Sequence, residues 1–390
     1  MAQNTAELWV RVSTASQANS THWDAEFAVI DAVNANFKAI TGVRANIALS
    51  GEISATVAGD LTYWQDCVDR IASRGLKIAI GIGGEGPNKT VTAWKALNGA
   101  TEWTYNRRPV KGTANGVWLA MVALKQRCID YAVTKYRSLG YIPSQYIEIE
   151  VDNEPGTGGS GGFGLPVDGS FGGITVEGYW DSSDEVTATA LVASFQERLA
   201  FELPRLNFYG CEVLCPSFEF QDGTTSLKEV QTAFNSTDSP TWMAYITKLA
   251  CNLYYTPRGT ACPAPDRFAK DFMMGVNQLG TNTNCAKYKI DQMLSEFKGA
   301  DPLGRALTAS DVRITEVGAS LASCLMPTYY SSDHSIRGQV INHMIRECGN
   351  YGVSRVTLYT VRDDTYGLLA ANDSATNAYT EFKELGGVYA

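Results

Sequence analysis

Two glutamates stand where strand-like segments end, and the first of them is Glu154. Residues 146–152 alternate acidic with apolar side chains, a two-residue period that is typical of a β-strand. Pro155 ends the strand, because it has no backbone N–H and disfavours helix in the residue before it. Glu154 is therefore predicted at the carboxyl end of a strand, which is where α/β folds bind their ligands.

The second glutamate, Glu316, occupies the same kind of position. It lies near the end of the β-rich segment 311–318, shortly before the strand-breaking Gly318. Most glutamates in a chain of this length are surface or capping residues, but here both carboxylates end apolar strands of one repeating pattern. Two carboxyl groups about 5 Å apart cleave a glycosidic bond with retention, one as acid and one as nucleophile. The pair predicts that chemistry.

Strand and helix patterns alternate along the whole chain. Predicted strands cover residues 8–12, 43–49, 76–82, 146–155, 209–214, 250–255, 311–318 and 354–360. Predicted helices cover residues 25–40, 61–73, 115–139, 185–203, material up to 249, 266–297, 335–348 and 375–385. Eight such units favour a closed (β/α)8 TIM barrel over an open α/β sheet. We expect one domain spanning residues 1–390, with insertions at about 83–112 and 156–184 after strands three and four.

Composition narrows the class of partner. The 390 residues are 45% hydrophobic and 19% charged, with a net charge of −9 and no basic stripe, so nucleic acid is not expected as a partner. No apolar stretch reaches about 20 residues, and the start of the chain lacks a signal-peptide pattern, so no membrane span is predicted. Localisation stays open between cytoplasm, virion and another export route.

Cysteine and histidine usage gives no sign of a metal or cofactor site. The nine cysteines follow no repeated short spacing, and most are expected to be buried thiols. One disulfide remains open, either Cys211 with Cys215 or Cys251 with Cys262. The three histidines do not form the strand pattern of a metal-dependent barrel hydrolase, so neither a metal nor an organic cofactor is expected.

Basic residues also occur in the predicted strands, at Arg11, Arg44, Lys77, Arg313 and Arg355. Inside a barrel they would face the acidic side chains of strand four, because lone interior charges are too costly. We expect Glu148 and Glu150 to belong to such an ionic network, and Glu154 to lie beyond it.

The motifs around both glutamates resemble those of the clan A retaining glycoside hydrolases. Asn153-Glu154-Pro155 after strand four and Thr315-Glu316-Val317-Gly318 after strand seven are similar to the signatures of that clan. The resemblance covers the whole barrel, with sharp motifs of about ten residues. It implies that Glu154 is the acid/base, that Asn153 binds the sugar 2-hydroxyl and that Glu316 is the nucleophile. Arg44 would be the strand-two arginine near the nucleophile, with an interior ion pair as the alternative.

Two strands depart from the clan pattern. Strand six often carries His-x-Tyr, and here Asn252-Leu253-Tyr254 occupies that place, so Tyr254 is implied as the partner of the nucleophile. Strand eight often ends in a tryptophan that forms the sugar platform, and here Tyr359 stands nearby.

Further candidates for carbohydrate contact lie in loops. Glu85 follows a glycine-rich turn after strand three, and Asp363 follows strand eight; either can bind hydroxyl groups or serve the turn. Trp103 and Trp180 fall in the two insertions and can stack on a glycan or pack against the barrel.

These features favour a retaining glycosidase that acts on a poly- or oligosaccharide without a cofactor. The alternative is a non-catalytic TIM barrel that serves as a structural or carbohydrate-binding component, for example of a phage particle or a cell-surface assembly. The departures at strands six and eight favour the alternative, whereas two opposed glutamates favour the enzyme.

Overall fold

The computed structural model describes residues 6–12, 20–37, 39–47, 61–82, 104–105, 108–109, 116–153, 169–171, 174–176, 196, 199–220, 234–235, 239–254, 286–318, 335–361 and 368. All structural statements concern these residues.

Eight parallel strands form the sheet, and their hydrogen-bonded order follows the sequence around a near-closed barrel. They are β1 Glu7–Arg11, β2 Ile40–Asn46, β3 Lys77–Gly81, β4 Ile147–Glu150, β5 in two segments Glu212–Leu214 and Phe218–Phe220, β6 Leu249–Tyr254, β7 Val312–Gly318 and β8 Arg355–Leu358. β8 pairs with β1, so the first and last strands meet. The predicted single (β/α)8 TIM barrel is confirmed.

Strand β5 connects β4 to β6 through two separate segments. Its first segment pairs with β4 and its second with β6. Between them lies Pro216, which cannot donate a ladder hydrogen bond and so interrupts the strand. Two isolated parallel bridges, Asn153 with Ser217 and Leu214 with Lys248, connect the segments to both neighbours.

Helices cover the outside of the barrel. They are α1 Ser20–Phe37, α2 Thr62–Ser73, α3 Gly116–Ser138, α4 Pro143–Tyr146, α5 Ser239–Met243, α6 Ala286–Ala300 and α7 Ser335–Tyr351, with 3-10 turns at Leu203–Arg205 and Ala309–Asp311. On α2 the buried residues Trp64, Cys67, Val68 and Ile71 recur at helical spacing and form its inner face. Two short antiparallel strand pairs, residues 104–105 with 108–109 and residues 169–171 with 174–176, lie in the predicted insertions.

Several predicted boundaries were wrong: strand four ends at Glu150 and not at residue 155, strand two covers Ile40–Asn46 and not 43–49, and two further differences have a local cause. Ile40 was expected to end the first helix but begins β2, because both amide atoms of Asn34 bond the backbone of Ile40 and turn the chain out of the helix. Tyr209 was expected to begin strand five, yet it lies in a turn with φ +54°, and its backbone N–H donates a hydrogen bond to Oδ1 of Asn207. The strand starts only at Glu212.

The described cysteines carry free thiols. They are Cys67, Cys128, Cys211, Cys215, Cys251 and Cys348, all buried. The disulfide left open in the sequence is therefore absent between Cys211 and Cys215, and Cys251 is not bridged. None of the helices in the described part of the chain is long and apolar enough to cross a membrane.

The amino-terminal half of the barrel interior holds an aromatic ring among charges. The Trp9 ring lies over β2, where a Cβ on Gly42 would sit 2.3 Å from it, so glycine is needed there. The Arg355 guanidinium stacks on this ring at 4.5 Å. Glu148 accepts hydrogen bonds from Arg355 and from Arg313, whose Nε lies 2.8 Å away. The ionic network expected around Glu148 is confirmed.

Candidate active site

Glu316 lies in the carboxyl-terminal half of β7, and its side chain is only 2% exposed. Arg11, at the end of β1, donates from Nη1 to Oε1 of Glu316 at 3.1 Å. Arg44 of β2 donates from its own Nη1 to the same oxygen. Two guanidinium groups from neighbouring strands therefore compensate the charge of this carboxylate, which would otherwise be costly to bury.

Arg44 connects three strands at the centre of the site. It is fully buried, and its Nε and Nη2 donate to the two oxygens of Glu150 at 2.7 and 2.6 Å. Nη2 also donates to Oδ1 of Asn153 at 2.8 Å. Burial by itself lowers the pKa of Arg44, but the charges of Glu150 and Glu316 raise it above its usual value. Both expectations for Arg44, an interior ion pair and contact with Glu316, are confirmed.

Asn153, which follows β4, is held by its side-chain oxygen. Oδ1 accepts from Arg44 and also from Nδ2 of Asn252 at 3.1 Å. These bonds fix the orientation of the Asn153 amide. They also leave its own Nδ2 without a partner among the described residues, so this donor can serve a substrate hydroxyl.

A layer of neutral hydrogen bonds lies beside the charges. Thr315 Oγ1 is 2.7 Å from Oδ1 of Asn252 and 2.8 Å from Oγ of Ser217. Ser217 in turn donates to Oε1 of Glu150 at 2.5 Å. Both ends of the Asn252 amide are thereby occupied, and Asn252 serves to orient Asn153.

A local irregularity of β7 turns Glu316 into the barrel. Arg313 and Thr315 already use the inward positions of a regular two-residue alternation, so Glu316 would face outward. The register shifts at this point against both β6 and β8. A bulge of this kind re-aims one side chain without ending the strand, and such bulges are common beside active sites.

Tyr359 lies where β8 ends and contacts the site through Arg11. The guanidinium of Arg11 stacks over its ring at 4.7 Å from the centroid. The aromatic group of strand eight, expected near the sugar platform, therefore packs on the cation that holds Glu316.

Four of the sequence-predicted site residues come together: Glu316, Asn153, Asn252 and Tyr359. Tyr254 ends β6 with its backbone paired to Gly318, and its side chain lies outside the described residues. Its hydrogen bond to the nucleophile stays a prediction. The remaining candidates also lie outside the described residues, namely Glu154, Glu85, Trp103, Trp180 and Asp363.

Sequence reasoning missed two residues of this cluster. Arg11 was expected only as part of an interior ion network, although its position at the end of β1 is a signal that it reaches the mouth. Ser217 was not considered at all. The signal for it is Pro216, since a proline inside a predicted strand marks an interruption that re-aims the next side chain.

Comparison with known proteins shows the fold. No family model and no curated protein matches the sequence. A GH5_18 protein from Bifidobacterium longum subsp. longum, solved with Manβ1-4GlcNAc, is similar at TM-score 0.52 and 9% identity, over 98% of this chain and 78% of that one. An endo-1,4-β-mannanase from Rhizomucor miehei is similar at TM-score 0.50 and 13% identity, over 99% and 95%. A β-glucosidase is similar at TM-score 0.51 and 10% identity, over 94% and 88%. These structural neighbours are glycoside hydrolases.

Proposed function

We propose that the protein is a retaining glycoside hydrolase that cleaves O-glycosidic bonds of a poly- or oligosaccharide by double displacement. The observation that carries this proposal is the placement of Glu316, an inward carboxylate at the carboxyl-terminal end of β7 held by Arg11 and Arg44. Asn153 shares Arg44 with it and is followed directly by Glu154. Because one fold hosts many functions, the function is inferred from the residues of the site and not from the barrel alone.

In the first step Glu316 attacks the anomeric carbon while Glu154 protonates the departing glycosidic oxygen. In the second step Glu154 accepts a proton from water, the water oxygen bonds to the anomeric carbon, and the Glu316 carboxylate leaves. Two inversions at one carbon give net retention.

The described residues around Glu316 serve this sequence. Arg11 and Arg44 hold the carboxylate in one orientation before attack. They stabilise its negative charge again when it leaves the anomeric carbon. Nδ2 of Asn153, which bonds none of the described residues, donates to the sugar 2-hydroxyl, a hydrogen bond that strengthens in the oxocarbenium-like transition state. The glycosidase names of the structural neighbours support carbohydrate as the substrate class.

The test is hydrolysis of a glycan panel by wild type and by two variants, with the anomeric form of the product followed by NMR. Glu316→Gln keeps the size of the side chain but not the nucleophile, and we expect kcat to fall by at least about 1,000-fold on every substrate. Glu154→Ala should spare the first step for aryl glycosides with good leaving groups, which need little protonation. Azide should then restore its turnover and give a glycosyl azide of retained configuration.

Glu347→Gln, the same change on the outer helix α7, is the matched control and should leave kcat unchanged. Initial release of the inverted anomer would reject double displacement. Glycan binding by wild type without any hydrolysis would instead assign the barrel a non-catalytic carbohydrate-binding role.

A further inference from the structure

Asn46 is the last residue of β2 and lies one inward position beyond Arg44. The pairing of Gly42–Asn46 with Lys77–Gly81 is regular, so the two-residue alternation is unbroken and both side chains share the inner face. Arg44 bonds to Glu316. Asn46 is therefore placed in the next layer toward the carboxyl-terminal mouth, on the substrate side of the arginine.

The Asn46 amide has no partner in the described part of the protein. Its Oδ1 is buried and accepts no hydrogen bond, and no described residue bonds its Nδ2 either, although the residue is partly exposed. A buried polar atom without a partner is energetically costly. Such groups are rare, and a functional role is one of the explanations for them.

Gly81 of β3 provides the space that the amide occupies. A Cβ at Gly81 would lie 2.2 Å from Oδ1 and 2.9 Å from Cγ of Asn46. Any other residue at position 81 would push the amide away from its position. The barrel thus keeps room for a polar group that bonds nothing in the described protein.

We propose that Asn46 is a substrate-binding residue that hydrogen-bonds a hydroxyl group of an uncharged sugar ring in the subsite of Glu316. An amide can donate and accept, which matches a hydroxyl. Asn46 carries no charge, and Arg11 and Arg44 are both bonded to a carboxylate, which favours a neutral sugar over an anionic one. This inference rests on the proposed function and names the substrate class of that same site.

The test compares Asn46→Ala with wild type on a hydrolysed glycan. We expect kcat/KM to fall about 3- to 10-fold, the range for one lost neutral hydrogen bond. A substrate series with single hydroxyl groups replaced by hydrogen identifies the contact. For the one deoxy substrate that lacks the contacted hydroxyl, wild type should lose the same factor in kcat/KM relative to the parent substrate. Asn46→Ala should hydrolyse that deoxy substrate with the same kcat/KM as the parent substrate. Binding to the turnover-deficient Glu316→Gln background, measured by calorimetry, should weaken in parallel.

Gly81→Ala is an independent test, since it displaces the Asn46 amide without removing it. As a single variant it should lower kcat/KM as much as Asn46→Ala does. Added to Asn46→Ala, it should lower kcat/KM little further. Asn350→Ala, on the exposed surface of α7, is the matched control, and thermal unfolding should show that all variants remain folded.

Two results would overturn the inference. If wild type hydrolyses a glycan and Asn46→Ala matches it in kcat/KM and affinity, the inference alone is wrong. If wild type neither binds nor hydrolyses any glycan of the panel, the proposed function fails and the Asn46 contact fails with it.

Discussion

At the scale of single residues, Glu316 is defined by what holds it. Arg44 is fully buried and also bonds Glu150 and Asn153, so replacing it would disturb the interior of the barrel. Arg11 is different, because its side chain is 20% exposed at the end of β1, where it donates to Glu316 and stacks on Tyr359. Arg11 can therefore be removed to test positioning of the carboxylate separately from folding.

We predict that Arg11→Met lowers kcat about tenfold or more and changes KM little. The variant loses one hydrogen bond to a charged group, which is worth about 1.5–3 kcal/mol, while Glu316 keeps its hydrogen bond from Arg44. Arg11→Lys keeps the charge but not the planar geometry and should recover part of the loss. Steady-state kinetics on a hydrolysed glycan measure both.

The matched control is Arg74→Met, which removes an arginine that binds Asp31 on the outer helices. It should leave kcat unchanged. If Arg11→Met lowers the thermal midpoint but not kcat, Arg11 does not position the nucleophile. The same conclusion follows if the variants change KM and leave kcat at the wild-type value.

At the scale of elements, the strands were predictable because their apolar periodicity is local. The end of β7 contains a feature that local periodicity does not predict. The segment containing Thr315 and Glu316 reads as an ordinary strand, and nothing in its residues marks the bulge that turns Glu316 inward. The bulge depends on the register against β6 and β8, which are distant in sequence, so local patterns do not contain it.

The contacts of the site were harder to predict than its residues. Glu316 and Asn153 were found because each lies at a predicted strand end. The bond from Arg11 to Glu316 joins residues 305 positions apart on strands that are not neighbours. It arises only when β8 closes the barrel between them, and no sequence spacing encodes that distance.

The loop after α6 yields a prediction about pH. Asp301 accepts from the backbone N–H of Arg305 at 2.7 Å and from its guanidinium, which also donates to the Met243 carbonyl at 2.8 Å. Burial by itself raises the pKa of Asp301, but the hydrogen bonds from Arg305 and from the Leu303 N–H outweigh it and hold the pKa below its usual value. A lowered folded pKa contributes stability above pH about 4 that is lost as the pH falls through the folded pKa.

Asp301→Asn should therefore lower the free energy of unfolding by about 1–3 kcal/mol at pH 7. The difference from wild type should shrink below pH about 4 as wild-type Asp301 becomes protonated. Denaturant unfolding across this pH range measures it. Asp31→Asn removes a half-exposed ion pair and should cost less than about 1 kcal/mol. A difference for Asp301→Asn that stays constant with pH would contradict the assignment.

At the scale of the whole molecule, the barrel separates two groups of interior charges. Arg11, Arg44, Glu150 and Glu316 lie toward the carboxyl-terminal end and form the candidate site. Toward the amino-terminal end, Glu148 is shared by Arg313 and Arg355, and Arg313 also bonds Glu212 at 2.7 Å. This second group has no part in the proposed chemistry, so its role is to join β4, β5, β7 and β8 inside the barrel.

Burial by itself raises the pKa of Glu148, but the charges of Arg355 and Arg313 outweigh it and hold the pKa below its usual value. Its contribution to stability is therefore present above pH about 4 and lost as the pH falls through the folded pKa. At neutral pH, Glu148 compensates two buried guanidinium groups.

We predict that Glu148→Gln lowers the free energy of unfolding by about 3–5 kcal/mol at pH 7, because it leaves Arg355 buried without a described carboxylate partner. Adding Arg355→Met should recover much of this loss, since Arg313 still has Glu212 and the uncompensated charge is gone. Glu7→Gln, at a pair whose glutamate is 40% exposed, should cost under about 1 kcal/mol. Denaturant unfolding of the four proteins decides the matter: if the double variant is no more stable than Glu148→Gln, the cost does not come from an unpaired buried arginine.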